Sequence, residues 1–184
     1  LCDQAGVAAA ARLCRHGVID DYVQHYPTPL DGNRLAASVR LAARMFAANA
    51  RNAKASDQSG RASRVVVVED DETQQALIAA MLASEPVELV FESDGAAALE
   101  RIHATAPDLV LMDVGLPGSD GVEITGQIKS SPALASIPVV MLTGEASFET
   151  LVRSMEAGAA DFIVKPFTRD ALVAKLGKFL PSIA

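Results

Sequence analysis

Five short apolar runs, each followed by a stretch with helical spacing, constrain this chain more than any other feature. The runs are RVVVVE (64–69), VELVFE (87–92), DLVLMD (108–113), IPVVMLT (137–143) and DFIVK (161–165). Between and after them lie TQQALIAAMLAS (73–84), DGAAALERIHA (94–104), GVEITGQIKSS (121–131), SFETLVRSMEAG (147–158) and TRDALVAKLGKFL (168–180). Residues 65–68, 109–112 and 139–142 are apolar throughout rather than alternating. Strands of that kind are covered on both faces, so the pattern predicts an α/β domain with a parallel sheet wrapped by helices. Each crossover is expected to be right-handed. Pro86 closes the first helix, and Asp94 stands where a cap begins the second.

Open parallel sheets bind ligands beyond the carboxyl ends of their strands. Here those ends are chemically distinctive. The first strand finishes in Glu69-Asp70-Asp71, the third in Asp113, the fourth in Thr143-Gly144 and the fifth in Lys165-Pro166. Taken singly, each has an ordinary explanation as a helix cap, a first-turn acid or a loop residue. Taken together, they bring three acids, a hydroxyl and an ammonium to one edge. Glu69, Asp70 and Asp113 repel one another, and a hard divalent cation with oxygen ligands relieves that cost. Mg²⁺ suits such a site, with the backbone carbonyl of Gly115 available as a further ligand. Asp113, at the centre, is placed to attack phosphorus as a carboxylate nucleophile. Lys165 and the metal would spread over the phosphoryl oxygens, and Thr143 would donate a hydrogen bond to one of them. Gly115 and Gly144 keep the entrance open.

The segments VVVVEDD, DLVLMDVGLPGSDG, IPVVMLTG and GAADFIVKPF together resemble the receiver domain of two-component response regulators, over residues 64–182. The resemblance implies a doubly wound five-stranded parallel sheet in the order 2-1-3-4-5. It also implies that Asp113 is the phospho-acceptor, Glu69 and Asp70 the metal-side acids, and Lys165 the phosphate-contacting lysine. Thr143 matches the switch hydroxyl and Phe162 the switch aromatic. The phosphoryl group would come from a histidine kinase or phosphotransfer protein, or from a small phosphodonor. The domain would then be a cytoplasmic signalling switch in a phosphorelay. Its only chemistry would be its own aspartyl phosphorylation and autodephosphorylation.

Three positions depart from or qualify that pattern. The acid pair is Glu-Asp rather than Asp-Asp. Gly115 stands two residues past the acceptor, where the family often has a larger side chain that helps set the dephosphorylation rate. Phe162 has no hydroxyl, so any switching through it would rest on packing. Two other phosphate-handling or nucleotide-binding classes fit less well. A haloacid-dehalogenase-like phosphatase wants a second aspartate at position 115, and flavin binding lacks a phosphate-cradling loop after the first strand. A non-phosphorylated adaptor or dimerisation module on the same fold is the alternative of a different class.

Composition narrows the partners. The formal net charge of −7 and an aromatic content of 4% argue against direct nucleic-acid binding, which needs a basic face. No apolar run is long enough to span a bilayer, and the first residues lack the basic lead and unbroken apolar core of a signal peptide. Cys2 and Cys14 are the only cysteines, in keeping with a reducing compartment. The chain opens on Leu1, which reads as a fragment or trimmed chain.

Residues 52–63, NAKASDQSGRAS, read as a linker that divides a mainly helical extension (1–51) from the receiver-like part (64–184). Within the extension, GVIDDYVQHYPTPLDGNRLAASVRLA (17–42) echoes GAADFIVKPFTRDALVAKLGKFL (158–180). Asp21-Tyr22-Val23 parallels Asp161-Phe162-Ile163, and Thr28 stands where the lysine would be. Two readings stand side by side: the C-terminal third of a degenerate second receiver, or an unrelated strand flanked by alanine-rich helices. This part is expected to pack against a second copy of itself or against the receiver, with a homodimer through RLAASVRLAARMFAANA, for its small-residue and apolar face, the favoured version. Arg34, Arg40, Arg44 and Arg51 read as a solvated face.

Overall fold

The computed structural model of the chain describes residues 61–144 and 148–183. The expectations for residues 1–60, including the extension, its echoed motif and its dimerising helix, lie outside the described residues. Among the described residues, five strands and five helices alternate: β1 Ser63–Val68, α1 Glu72–Leu82, β2 Val87–Glu92, α2 Gly95–Thr105, β3 Leu109–Asp113, α3 Gly121–Ser130, β4 Val139–Thr143, α4 Phe148–Glu156, β5 Asp161–Val164 and α5 Arg169–Leu176. All strand pairs are parallel, and the order across the sheet is β2-β1-β3-β4-β5. This is the doubly wound arrangement expected from the strand motifs.

The unbroken apolar runs follow from burial on two sides. Along a strand, successive side chains point to opposite faces. Val66, Val68, Val110, Met112, Val139 and Met141 pack with Ala98 and Ile102 of α2 and with Ile124 and Ile128 of α3. Val65, Val67, Leu109, Leu111, Val140 and Leu142 pack on the opposite face with Ile78 and Leu82 of α1 and Leu172 and Leu176 of α5. The β-branched residues suit this pleated, fully covered surface. Among the described residues, Leu77 of α1 is the exposed large hydrophobic.

Local chemistry sets the helix starts. Asp71 accepts from the Thr73 and Gln74 amides, Asp94 from Ala96, Asp120 from Val122, and Thr168 from Ala171. Each therefore satisfies an amide that the first helical turn leaves without an internal partner. Several limits differ from the sequence expectation. Pro138 has no N–H to give, and β4 begins at Val139 rather than Ile137. Gly158, at φ +97°, stops the chain after α4. The last helix ends at Leu176, with Gly177 as its cap rather than an interior residue. Ser63, assigned to the linker from its composition, is the first residue of β1, and its N–H donates to the Pro86 carbonyl. No helix of the described residues is long and apolar enough to cross a membrane.

Candidate functional site

The strand register assembles the site. Val68 lies opposite Met112, so the next residues, Glu69 and Asp113, arrive at the same level. Asp113 lies opposite Leu142, and Thr143 lies opposite Val164, with Lys165 following. The Lys165 N–H donates to the Thr143 carbonyl at 2.8 Å, which extends the β4–β5 pairing to the lysine itself. Glu69, Asp113, Thr143 and Lys165 therefore reach one edge because of pairing between strands far apart in sequence. Glu69 is the first residue past β1 rather than its last, although its N–H still donates to the Glu92 carbonyl at 3.0 Å.

Glu69, Asp70 and Asp113 each offer a carboxylate oxygen, and these atoms all lie within 4.8 Å of one another. Glu69 is 1% exposed and Asp113 7%, whereas Asp70 faces solvent. Lys165 Nζ donates to Glu69 Oε2 at 2.6 Å and lies 3.3 Å from Asp113 Oδ1. Burial pushes the Glu69 carboxyl above its ordinary value. The hydrogen bond from Lys165 pulls it back, and the Asp113 charge adds to the rise. Three carboxylates thus gather at one edge, and the Lys165 ammonium pairs with two of them. That donor set, all hard oxygen and in excess of its cation, fits Mg²⁺. Thr143 is buried at the end of β4.

The loop after Asp113 is drawn tightly against it. The Gly121 N–H donates to the Val114 carbonyl at 3.1 Å. A Cβ on Gly121 would stand 1.9 Å from the Asp113 carbonyl oxygen, a distance no side chain can occupy. Only glycine lets α3 begin this close to the end of β3. Gly115 and Gly144 are different, because a Cβ at either would meet nothing within 4 Å. Their lack of a side chain leaves open space at the mouth of the site, as the sequence suggested.

Phe162 is not among the clustered groups. It lies opposite Met141, two residues before the level of Thr143, and is half-buried against the core on the α2 and α3 side. Lys175 Nζ sits 5.1 Å from the centre of its ring. Two residues that sequence reasoning passed over belong to the site. Gly121 was hidden in an ordinary Asp-Gly helix start. Gln75, on α1, donates from its side-chain Nε2 to the Glu69 carbonyl at 2.6 Å. A glutamine on a helix carries no sequence signal of that contact.

The model of the response regulator receiver domain matches residues 65–177. The chain belongs to that family. Among curated relatives, the receiver is similar to the phosphate regulon transcriptional regulatory protein PhoB of Escherichia coli. The two are 36% identical over 115 residues, which is 62% of this chain and 50% of PhoB. The chain thus spans about half the length of the curated relatives it matches, and the negative reading on nucleic acid concerns this chain's charge alone. Among solved structures, a putative response regulator from Chloroflexus aurantiacus matches with a TM-score of 0.63 and 29% identity, over 66% of this chain and 99% of that one. The receiver domain of a sensor histidine kinase from Pseudomonas aeruginosa matches with a TM-score of 0.60 and 30% identity, over 65% and 98%. That protein was crystallised with a magnesium ion coordinated in its active-site cleft.

Proposed function

We propose that this receiver is a Mg²⁺-dependent phospho-acceptor that takes a phosphoryl group on Asp113 and acts as a conformational switch. The observation that carries the reading is the cluster itself: Asp113 shares a 4.8 Å carboxylate cluster with Glu69 and Asp70, with Lys165 Nζ 3.3 Å away. An isolated strand-end aspartate would have no reason to collect a buried acid and a lysine around it. When bound, Mg²⁺ supplies Lewis acidity toward phosphoryl oxygens and screens the carboxylates from an anionic donor. Glu69, Asp70, Asp113 and the Gly115 carbonyl are the groups proposed to hold it.

In the transfer step an Asp113 carboxylate oxygen attacks phosphorus. A P–O bond forms while the P–N bond to a kinase or phosphotransfer histidine breaks. The leaving imidazole keeps the electron pair and takes a proton from solvent. Lys165 is placed to neutralise charge on the moving phosphoryl group, and Thr143 to donate a hydrogen bond to it. Attack of water on phosphorus then returns the carboxylate and releases inorganic phosphate. The bare space at Gly115 leaves this water unobstructed. Phe162 is the proposed packing partner in the response, and a cytoplasmic setting follows from the proposed kinase partner. The division into extension (1–51), linker and receiver remains part of the same proposal, with the receiver opening at Ser63, the first residue of β1, rather than at Arg64.

The test is phosphate uptake from a small phosphodonor with Mg²⁺ and with excess chelator. Uptake by the wild-type chain only with Mg²⁺, and none by Asp113→Asn, supports the reading. Equal uptake in chelator would sink it.

A further inference from the structure

Asp70 poses a problem that the cluster alone does not solve. Its side chain faces solvent, and no hydrogen bond or ion pair holds its carboxylate among the described residues. Glu69, by contrast, is buried and tied to Lys165. Yet the Asp70 oxygen stands within 4.8 Å of the oxygens of both other acids. Its place must come from the backbone that carries it. The deciding unit is the peptide joining Glu69 to Asp70, because rotating that plane swings Asp70 away from the cluster.

Gln75 grips this peptide. Its Nε2 donates to the Glu69 carbonyl at 2.6 Å, while its own N–H donates to the Asp71 carbonyl at 2.9 Å. On the strand side, the Glu69 N–H is fixed on the Glu92 carbonyl. The acid loop is therefore clamped before Glu69, at the Glu69 carbonyl, and again at Asp71, where the cap of α1 begins. Gln75 supplies the middle clamp, the one nearest Asp70.

We propose that Gln75 is a positioning residue for the divalent cation: it holds the Glu69–Asp70 peptide so that the exposed Asp70 carboxylate joins the buried pair. The inference rests on the metal reading given above. Its mechanism is preorganisation, since an unclamped loop would have to be ordered at the moment of binding.

The test is calorimetric titration of Mg²⁺ into the full chain. Gln75→Met and Gln75→Leu remove the donor without adding charge, and Gln75→His, neutral at about pH 8, keeps an Nε2–H donor at similar reach. Partners behind a ligand set commonly contribute about 10-fold or more to metal affinity. Both donor-free variants should lose about 10-fold in Mg²⁺ affinity, and Gln75→His should recover most of it. Thermal melts without Mg²⁺ show whether each variant is folded. If one donor-free variant does not fold, the other carries the comparison. Wild-type affinity in the folded donor-free variants overturns the proposal, as does an equal loss in Gln75→His, which would mean packing rather than donation. A wild-type chain that binds no Mg²⁺ instead brings down the metal reading beneath it.

Discussion

At the scale of single residues, Lys165 does two jobs whose effects separate on mutation. It is the cation beside a nearly buried glutamate, and it stands 3.3 Å from the proposed acceptor. Lys165→Met should lower the stability of the metal-free chain by about 3 kcal/mol, the cost of leaving a buried charge without its partner. Mg²⁺ affinity should hold or rise, because the metal no longer competes with an ammonium, while phosphate uptake slows. Denaturant melts, Mg²⁺ titration and uptake kinetics measure the three effects, and a large loss of Mg²⁺ affinity would contradict the role given to the lysine. Lys129 offers a second test away from the site. Its ammonium donates to the Ala135 carbonyl at 3.1 Å and to the Ile137 carbonyl, and burial pushes it down to about 8 from 10.5. Between about pH 8 and 10.5 the unfolded chain holds this proton and the folded chain has lost it. Unfolding free energy should therefore gain a rising contribution with pH across that window. Wild type should gain on Lys129→Met as pH rises through it, and parallel stability curves would show that the lysine keeps an ordinary affinity for its proton.

At the scale of elements, the caps make the clearest prediction. Asp94 accepts from the Ala96 amide at 2.8 Å at the start of α2. Asp94→Ala should cost about 1 kcal/mol of stability by denaturant titration. Phosphate uptake should be unaffected, since α2 carries none of the clustered acids. The five strands were legible in the sequence because burial on both faces demands unbroken apolar runs, and Asp94 was legible because a cap is a local device. Limits were less legible: β4 starts after a proline, and the last helix stops at Gly177, where short-range pattern alone continued it. The site divides along the same line. Glu69, Asp70, Asp113, Thr143 and Lys165 could be read because each stands at or just past the end of a recognisable strand. Gln75 and Gly121 could not, since one acts through a backbone carbonyl and the other through a distance of 1.9 Å to the Asp113 carbonyl oxygen. Each joins a helix start to the end of the strand before it, and exists only once the connecting loop has folded.

At the scale of the whole molecule, the sequence pattern of residues 33–51 predicts self-association that residues 60–184 alone lack. Sedimentation of both chains, with and without phosphodonor, checks this, and two monomers under every condition would remove the dimer. Within the receiver, Asp113 is the proposed phosphoryl acceptor, and the strand register of a buried parallel sheet puts it among two acids and a lysine. The most direct measurement is reductive trapping. Borohydride reduces an acyl phosphate to an alcohol, so a phosphorylated aspartate becomes homoserine, which peptide mass spectrometry can place in the chain. After treatment of the full chain with a small phosphodonor and Mg²⁺, homoserine is expected at position 113, and none there when Mg²⁺ is chelated. Modification at Glu69 or Asp70 instead, or none at 113 in the presence of Mg²⁺, would contradict the role proposed for Asp113.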